Sequence, residues 1–203
     1  MCEMKNNVLD RGPGCKDKHR SDEWLDKDLG LLRRAGVAPD DVSHCERVRL
    51  MALNIAGRID VPLNLELVAR GGLLHDLGKA KGRADDHGYL GAQLGRNFGL
   101  PEEILRIMET HVKAGLSEEE ALEAGIPVKD YTPRTLEEKI VVYADKLVDI
   151  LSSTEKVVSS EIEAERLFEE ILRTNPRLSK SAKAAERQIR NHLEIQSLMR
   201  QNS

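Results

Sequence analysis

Apolar residues recur at helical spacing along most of the chain, and this pattern constrains the fold more than any other feature. Ala52, Ile55 and Ile59, for example, follow the three- and four-residue steps that place side chains on one face of an α-helix. We find no segment with the sustained two-residue alternation of a half-buried β-strand. Only two Phe, one Trp and three Tyr occur in 203 residues, so the core of this all-α fold must be mainly aliphatic.

The composition changes along the chain and divides it into three parts. Residues 1–22 are polar with almost no apolar side chains, which predicts a disordered arm. The helical pattern over 23–153 predicts one helical domain. Two more helical segments over 154–203, split at Asn175–Pro176, predict a helical C-terminal extension with many Lys and Arg residues near its end.

Capping residues predict where several helices begin. Asp40 or Asp41 can cap the helix that contains the apolar stripe described above, and Pro101 suits a first helical position. Ser117 and Thr135 are each followed three residues later by Glu, which is the capping-box pattern. Each of these two residues is therefore expected to start a helix.

Charge and cysteine content restrict the classes of partner and the compartment. The formal net charge is -4, from 31 Lys+Arg against 35 Asp+Glu, which argues against a dedicated nucleic-acid-binding protein. No apolar run approaches the roughly 20 residues that a membrane-spanning helix needs. The three cysteines have no metal-ligand spacing, so we interpret them as reduced thiols of a cytoplasmic protein.

Six polar residues stand out because they occur within the apolar helical pattern, several of them on the apolar stripe itself. A buried carboxylate is costly unless it is paired or bound to a metal, and gathering the six around metal ions would offset all these costs together. Imidazole and carboxylate without thiolate suit iron, manganese, cobalt or zinc. The six are His44, His75, Asp76, His87, His111 and Asp145. His19 and His192 lie outside this set and are expected at the surface.

The adjacent pair His75–Asp76 is the most informative part of this set. Neighbouring residues on a helix point about 100° apart, so the two side chains can bind one ion from adjacent directions. An aspartate can also bridge two ions through its two oxygens, and a water between them would become a nucleophile at neutral pH. The preceding pair Gly71–Gly72 predicts close approach of another backbone.

Three segments together resemble a known family. Gly71–Lys79 reads GGLLHDLGK and resembles the signature of the HD-domain superfamily of metal-dependent phosphohydrolases. Ser43–Val48 is similar to the segment that carries the first ligand of that family, and Tyr143–Leu147 is similar to the segment that carries the last. His87 followed by His111 resembles small, archaeal-type HD proteins with two metals. The resemblance implies an HD-domain helical bundle, here with the C-terminal helical extension.

Carried over to this chain, the resemblance implies one or two divalent transition-metal ions. Iron or manganese is favoured, with cobalt, nickel, zinc or magnesium as alternatives. The ligands of one ion would be His44, His75, Asp76 and Asp145. The ligands of the second would be Asp76 as a bridge, His87 and His111.

The resemblance also implies an activity. It is hydrolysis of a phosphomonoester, phosphodiester or phosphoanhydride by a metal-bound hydroxide, with a phosphorylated, nucleotide-like small molecule as the partner. Asp76 and Lys79 are the expected catalytic residues, and Lys79, Lys81 and Arg83 are expected to contact the substrate. Lys79 could instead interact with the C-terminal end of its helix, where a cation is favourable. Assembly into a homo-oligomer is left open.

Two other functions stay open at this point. The same six residues resemble the ligands of mixed-valence di-iron oxygenases that are built on the HD fold. A non-catalytic module could instead use a metal and the basic tail to sense a nucleotide.

Overall fold

The computed structural model describes residues 18–82, 84–154 and 157–200, and within these ranges its regular structure is entirely helical. The prediction of an all-α bundle with a helical extension is therefore confirmed. None of the described helices is long and apolar enough to cross a membrane. The helices are α1 (Lys18–Ala35), α2 (Pro39–Ala56), α3 (Leu65–Leu74), α4 (His87–Asn97), α5 (Glu102–His111), α6 (Glu118–Glu123), α7 (Leu136–Leu151), α8 (Glu161–Arg166), α9 (Phe168–Thr174), α10 (Pro176–Ser179) and α11 (Ala182–Arg200), with 3-10 turns at Leu77–Ala80 and Val112–Ala114.

The N-terminal helix starts earlier than the composition suggested. Helix α1 begins at Lys18, so helical structure reaches into the segment 1–22 for which the sequence predicted a disordered arm. Residues 1–17 of that segment lie outside the described part of the chain.

Two predicted helix starts are wrong by one to three residues. The N-cap of α2 is Ala38, with Pro39 in the first turn, and Asp40 and Asp41 follow inside the helix. There the two carboxylates still interact favourably with the positive end of the helix dipole. Pro101 is the N-cap of α5 and precedes the helix instead of occupying its first position. In both cases the fixed φ of proline favours a helix start, but the sequence does not specify the exact register.

The two predicted capping boxes have different outcomes. At α6 both bonds are present, because the Glu120 amide donates to Ser117 Oγ at 3.3 Å and the Ser117 amide donates to Glu120 Oε2 at 2.9 Å. At α7 the Glu138 amide donates to Thr135 Oγ1 at 3.2 Å. The Glu138 carboxylate, however, accepts from the Arg134 amide at 2.7 Å, so only half of the box forms.

Helices α2, α3 and α7 pack together at the centre of the bundle. The main core cluster joins fully buried Ala52 and Ile55 of α2 to Val68 of α3 and Ile140 of α7. A Cβ added at Gly72 would lie only 2.9 Å from the Arg49 Cα of α2. The close backbone approach predicted for the glycine pair is thus present, and it holds the end of α3 directly against α2.

The C-terminal extension packs onto α7 and shares its core. Phe168 of α9 and Ile195 of α11 are fully buried in the same cluster as the central helices. The surface position predicted for His192 is wrong, since the residue is 8% exposed and its ring stacks on Phe168 with centroids 4.6 Å apart. The many charges on α11 obscured its apolar stripe, on which His192 lies between Ile189 and Ile195. The side chain of His19 lies outside the described part of the structure.

Candidate metal centre

The His75–Asp76 pair lies at a break between two helical segments. Helix α3 ends at Leu74, His75 is its C-cap, and Asp76 has φ -96° and ψ 14° before the 3-10 turn begins. The expectation that both residues lie within one helix is therefore wrong. Leu74 and Leu77, which flank the pair, are fully buried and fix its position in the core.

Glycines allow the 3-10 turn to touch helix α4. A side chain at Gly78 would overlap the carbonyl oxygen of His87, and a Cβ at Gly91 would lie 2.9 Å from the Gly78 amide nitrogen. This contact without intervening side chains brings the first residue of α4, His87, next to Asp76. The fold thus depends on small residues at this contact to assemble the site.

Asp76 is at the centre of the cluster, and its two carboxylate oxygens face different imidazoles. Oδ2 lies 3.1 Å from His75 Nε2 and 3.7 Å from His44 Nε2. Oδ1 lies 3.3 Å from the Nε2 atoms of both His87 and His111. A carboxylate in this arrangement can offer one oxygen to each of two cations.

Asp145 of α7 completes the side of the cluster that contains His44 and His75. Its Oδ1 lies 2.9 Å from His44 Nε2 and 3.6 Å from His75 Nε2. All six residues selected from the sequence are therefore brought together, although they come from α2, the end of α3, α4, α5 and α7. Asp149, one turn after Asp145, forms a further group of potential ligands with Asp145 and His44.

Backbone carbonyls orient three of the four imidazoles. The Nδ1–H groups of His75, His87 and His111 donate to carbonyl oxygens three residues earlier in the chain, at 2.9, 2.6 and 2.7 Å respectively. Because a carbonyl can only accept, each of these rings presents the lone pair of its Nε2 to the cluster. Such outer bonds are typical of metal-binding histidines.

The ring nitrogens that face the cluster fit a metal better than they fit one another. His87 Nε2 and His111 Nε2 lie 2.9 Å apart. Two nitrogen ligands at right angles around one ion, with bonds of about 2.1 Å, would be separated by about 3 Å. His75 Nε2 is fully buried and makes no hydrogen bond to another described residue. Divalent cations on the two sides of Asp76 would satisfy all three nitrogens, one ion binding His75 and the other binding His87 and His111.

The electrostatics of the cluster also favour positive charge. Burial raises the pKa of Asp76, but the electrostatic influence of the surrounding imidazoles, His75 foremost, outweighs it and holds that pKa well below its usual range. Burial likewise raises the pKa of Asp145, but the close contact with His44 and the nearby His75 lower it well below the usual range. Burial lowers the pKa of His111 to about 4, so that ring is a neutral potential ligand at pH 7. Two ionised carboxylates thus attract a cation to this point.

The predicted basic rim is only partly at the cluster. Lys79 Nζ lies 2.5 Å from Asp76 Oδ2 and 3.8 Å from Asp41 Oδ1. Burial lowers the pKa of Lys79, but the negative charge of Asp76 outweighs this and raises it. Lys81 is exposed at the end of the 3-10 turn, and Arg83 lies outside the described residues.

A cavity of about 100 Å³ opens beside the cluster and is rich in lysine. Sequence reasoning did not select Lys113, Lys146 or Lys180, which line it with Lys79. The only sequence signals for the first two are their positions directly after ligand candidates: Lys113 follows His111 by two residues and Lys146 follows Asp145. Lys180 carries no such signal, because it enters the site from the C-terminal extension.

Comparison with protein families agrees with this geometry. A model of the HD domain matches residues 41–150, a range that contains all six clustered residues. The chain belongs to the HD-domain family. The resemblance of the three sequence segments to the HD-domain family is therefore confirmed, and the match spans more than half of the chain.

Several relatives align with this chain at 36–41% identity. A tRNA (cytidine(56)-2'-O)-methyltransferase of Picrophilus torridus is 40% identical over 148 residues, which are 73% of this chain and 42% of the relative. The protein MJ0778 of Methanocaldococcus jannaschii is 41% identical over 127 residues, or 61% of this chain and 75% of that protein. Ribonuclease Y of Thermotoga petrophila is 36% identical over 90 residues, or 43% of this chain and 17% of the enzyme. The chain thus spans less than half of the methyltransferase and less than a fifth of ribonuclease Y.

Solved HD domains share the fold. The HD domain of the L. monocytogenes phosphodiesterase PgpH, in complex with cyclic-di-AMP, superposes with a TM-score of 0.55 and covers 85% of this chain and 95% of its own. Another structure of that domain gives a TM-score of 0.52 and covers 84% and 97%. Identity is 18% in both cases, so these structures establish the common fold alone.

Proposed function

We propose that this HD protein is a metal-dependent phosphohydrolase that acts on phosphorylated, nucleotide-like small molecules. The observation that carries the proposal is the position of Asp76, whose two oxygens face separate imidazole pairs at 3.1–3.7 Å and at 3.3 Å. A carboxylate between two such groups suits a two-metal site of the kind that many phosphatases and nucleases use. The names of two relatives, ribonuclease Y and phosphodiesterase PgpH, denote phosphodiester chemistry and agree with this class.

The six clustered residues would hold the ions in two overlapping sets. When bound, divalent cations would supply a Lewis acid for the phosphoryl group and lower the pKa of a coordinated water. Iron or manganese suits the nitrogen and oxygen donors, and no thiolate is present among the ligand candidates of the described residues. The first set is His44, His75, Asp76 and Asp145, and the second is Asp76, His87 and His111.

The chain itself would bind and orient the phosphate. Lys79, Lys113 and Lys146 line the cavity beside the ligands, and their ammonium groups can pair with non-bridging phosphate oxygens. Lys79 reaches both Asp76 and this cavity, so it is the residue best placed to contact substrate and ligand set together. Fixed positive groups in a partly buried site also stabilise negative charge that develops in the transition state.

Turnover by a chelator-treated protein reloaded with Mn²⁺ under strict anaerobiosis tests this proposal. The substrates would be p-nitrophenyl phosphate, bis(p-nitrophenyl) phosphate, nucleoside mono-, di- and triphosphates and cyclic dinucleotides. We expect hydrolysis of at least one compound, its loss in the metal-free protein, and its loss in Asp76→Asn. Asp60→Asn, an exposed aspartate after α2, is the matched control and should retain activity.

Two outcomes would contradict the proposal. If metal is bound but no phosphorylated compound turns over, the hydrolase assignment fails, and a metal-dependent sensor becomes the better account. If activity requires iron and oxygen, the oxygenase alternative is favoured instead.

A further inference from the structure

The cavity beside the candidate metal centre has one wall built by the C-terminal extension. Ser179 ends α10, Lys180 joins α10 to α11, and Gln188 lies two turns into α11. All three line the cavity with His87, His111 and Asp145. The extension therefore does more than cover the hydrophobic core of α7, because it brings three polar side chains to the ligand cluster.

Lys180 is held at the cavity in an unusual backbone conformation. Its φ is 64°, and Lys113, which also lines the cavity, has φ 54°. Residues other than glycine seldom adopt this left-handed region, and such strain concentrates at functional sites. Two of the three non-glycine residues with positive φ in the described chain thus line this one cavity.

Lys180 also differs from the other lysines around the cavity in its charge environment. Lys79, Lys113 and Lys146 each pair with an aspartate, namely Asp76, Asp85 and Asp149. Lys180 forms no ion pair with another residue in the described ranges, and it is exposed. Its ammonium group is therefore available to an external anion without breaking an existing pair.

Gln188 supplies a second, independent sign of a ligand. The residue is 3% exposed, and its Oε1 makes no hydrogen bond to any described residue. A buried amide oxygen without a partner is costly, and native structures rarely retain one unless a water, ion or ligand satisfies it. As an acceptor, this oxygen can bind a hydroxyl of a phosphate group or a bound water, while the NH2 of the same amide can donate to a phosphate oxygen.

The size of the cavity restricts what can enter it. At about 100 Å³ it is well below the roughly 300–1,000 Å³ of pockets that enclose drug-sized molecules. A phosphate group fits this space better than a whole nucleotide does. A second ester substituent would need room beyond that of the phosphate group, and a cavity of this size offers little.

We propose that Ser179, Lys180 and Gln188 form a phosphate-binding wall through which the C-terminal extension selects terminal phosphate groups over internal phosphodiesters. The inference rests on the proposed phosphohydrolase function and specifies its substrate class. Lys180 is the specificity-determining residue: its charge pairs with the extra negative charge and the additional free oxygen that a terminal phosphate carries.

Binding of inorganic phosphate to the Mn²⁺-loaded protein, measured by calorimetry, tests this wall without relying on turnover. Lys180→Gly removes the ammonium group and relieves the left-handed backbone, so the variant should remain folded. We expect phosphate affinity to fall about tenfold or more, the range typical of one lost charge-assisted bond. Lys183→Ala, which removes an exposed lysine of the extension that pairs with Glu119 and does not line the cavity, is the matched control and should bind phosphate normally.

A second variant separates a ligand role from a structural one. Gln188→Leu replaces the unsatisfied amide with an apolar group of similar size, so we expect thermal stability to be unchanged or higher while phosphate affinity falls. Where a substrate has been found, Lys180→Gly should also lower kcat/KM more for a phosphomonoester than for a phosphodiester. Equal losses on both substrates would overturn the selectivity.

The outcomes distinguish this inference from the proposed function. Two results would overturn the proposed phosphate-binding wall. The wild-type protein would bind no phosphate, or Lys180→Gly would bind it as tightly as the wild type. If hydrolysis persists in that case, only the inference fails. If phosphate binding depends on Lys180 but nothing is hydrolysed, the wall stands and the hydrolase function fails.

Discussion

His87 Nε2 and His111 Nε2 lie 2.9 Å apart, and the Nδ1–H of each ring donates to a backbone carbonyl. The two rings therefore direct lone pairs toward the same point. Burial lowers the pKa of His111 to about 4. At neutral pH this ring therefore carries no Nε2 proton that could form a hydrogen bond to His87 Nε2. With Asp76 Oδ1 3.3 Å from both nitrogens, the three atoms form a set of donors for one cation.

Removal of metal should destabilise the protein. Cations that bind only the folded state stabilise it by about 2.7 kcal/mol at a free concentration one hundred times the Kd. We expect the Tm of the chelator-treated protein to rise when Mn²⁺ is added, and expect no comparable rise in Asp76→Asn. Thermal unfolding with and without Mn²⁺ measures both. An equal response of wild type and variant would show that metal binds elsewhere.

The contact between the 3-10 turn and α4 should tolerate no side chain. Gly78→Ala would place a methyl group on the carbonyl oxygen of His87, and relief of this overlap should cost about 1–3 kcal/mol of stability and displace His87. Gly82→Ala is the matched control, since nothing lies within 4 Å of a Cβ there. Urea denaturation of the two variants checks the difference. Similar stability in both would contradict this close packing.

We expect the stability of the protein to fall in mild acid because His192 of the C-terminal extension is buried as a neutral ring. Burial lowers the pKa of this ring, which stacks on Phe168 and whose Nδ1 lies 2.8 Å from Tyr143 Oη. Gln196 donates to that hydroxyl oxygen, so the hydroxyl hydrogen is available to donate to the neutral imidazole. Because the unfolded state then binds a proton more readily than the folded state, stability should fall as pH drops below about 6.5.

Comparison with His192→Gln isolates this effect from the titration of the ligand cluster. The variant keeps an acceptor for Tyr143 but has no group that ionises. Urea denaturation of both proteins at pH 7 and pH 5 should give a smaller loss of stability for the variant. A loss as large as that of the wild type would exclude His192 as the source.

Local chemistry made much of this structure predictable. The period of apolar residues gave the all-α class, Ser117 gave the start of α6, and the glycine pair indicated that α3 meets another backbone at Gly72. The six clustered residues could be selected because polar groups on apolar helical stripes require partners. Their order along the chain then supplied the resemblance to the HD family.

Other features depend on tertiary contacts that no local pattern records. The break after Leu74 arises where the turn at Gly78 packs on α4, although no proline interrupts the segment. Lys180 reaches the cavity because the C-terminal extension, which includes α10 and α11, packs against α7. His192 is buried for the same reason, since its charged neighbours on α11 face solvent while its own side faces Phe168.

The most direct test of the account is the crystal structure of the Mn²⁺-loaded protein, with anomalous scattering used to locate the metal. We predict two anomalous peaks that both lie within bonding distance of the Asp76 carboxylate. One should also be bound by His44, His75 and Asp145, and the other by His87 and His111. A single peak at the cluster, or peaks remote from these residues, would contradict the two-metal centre.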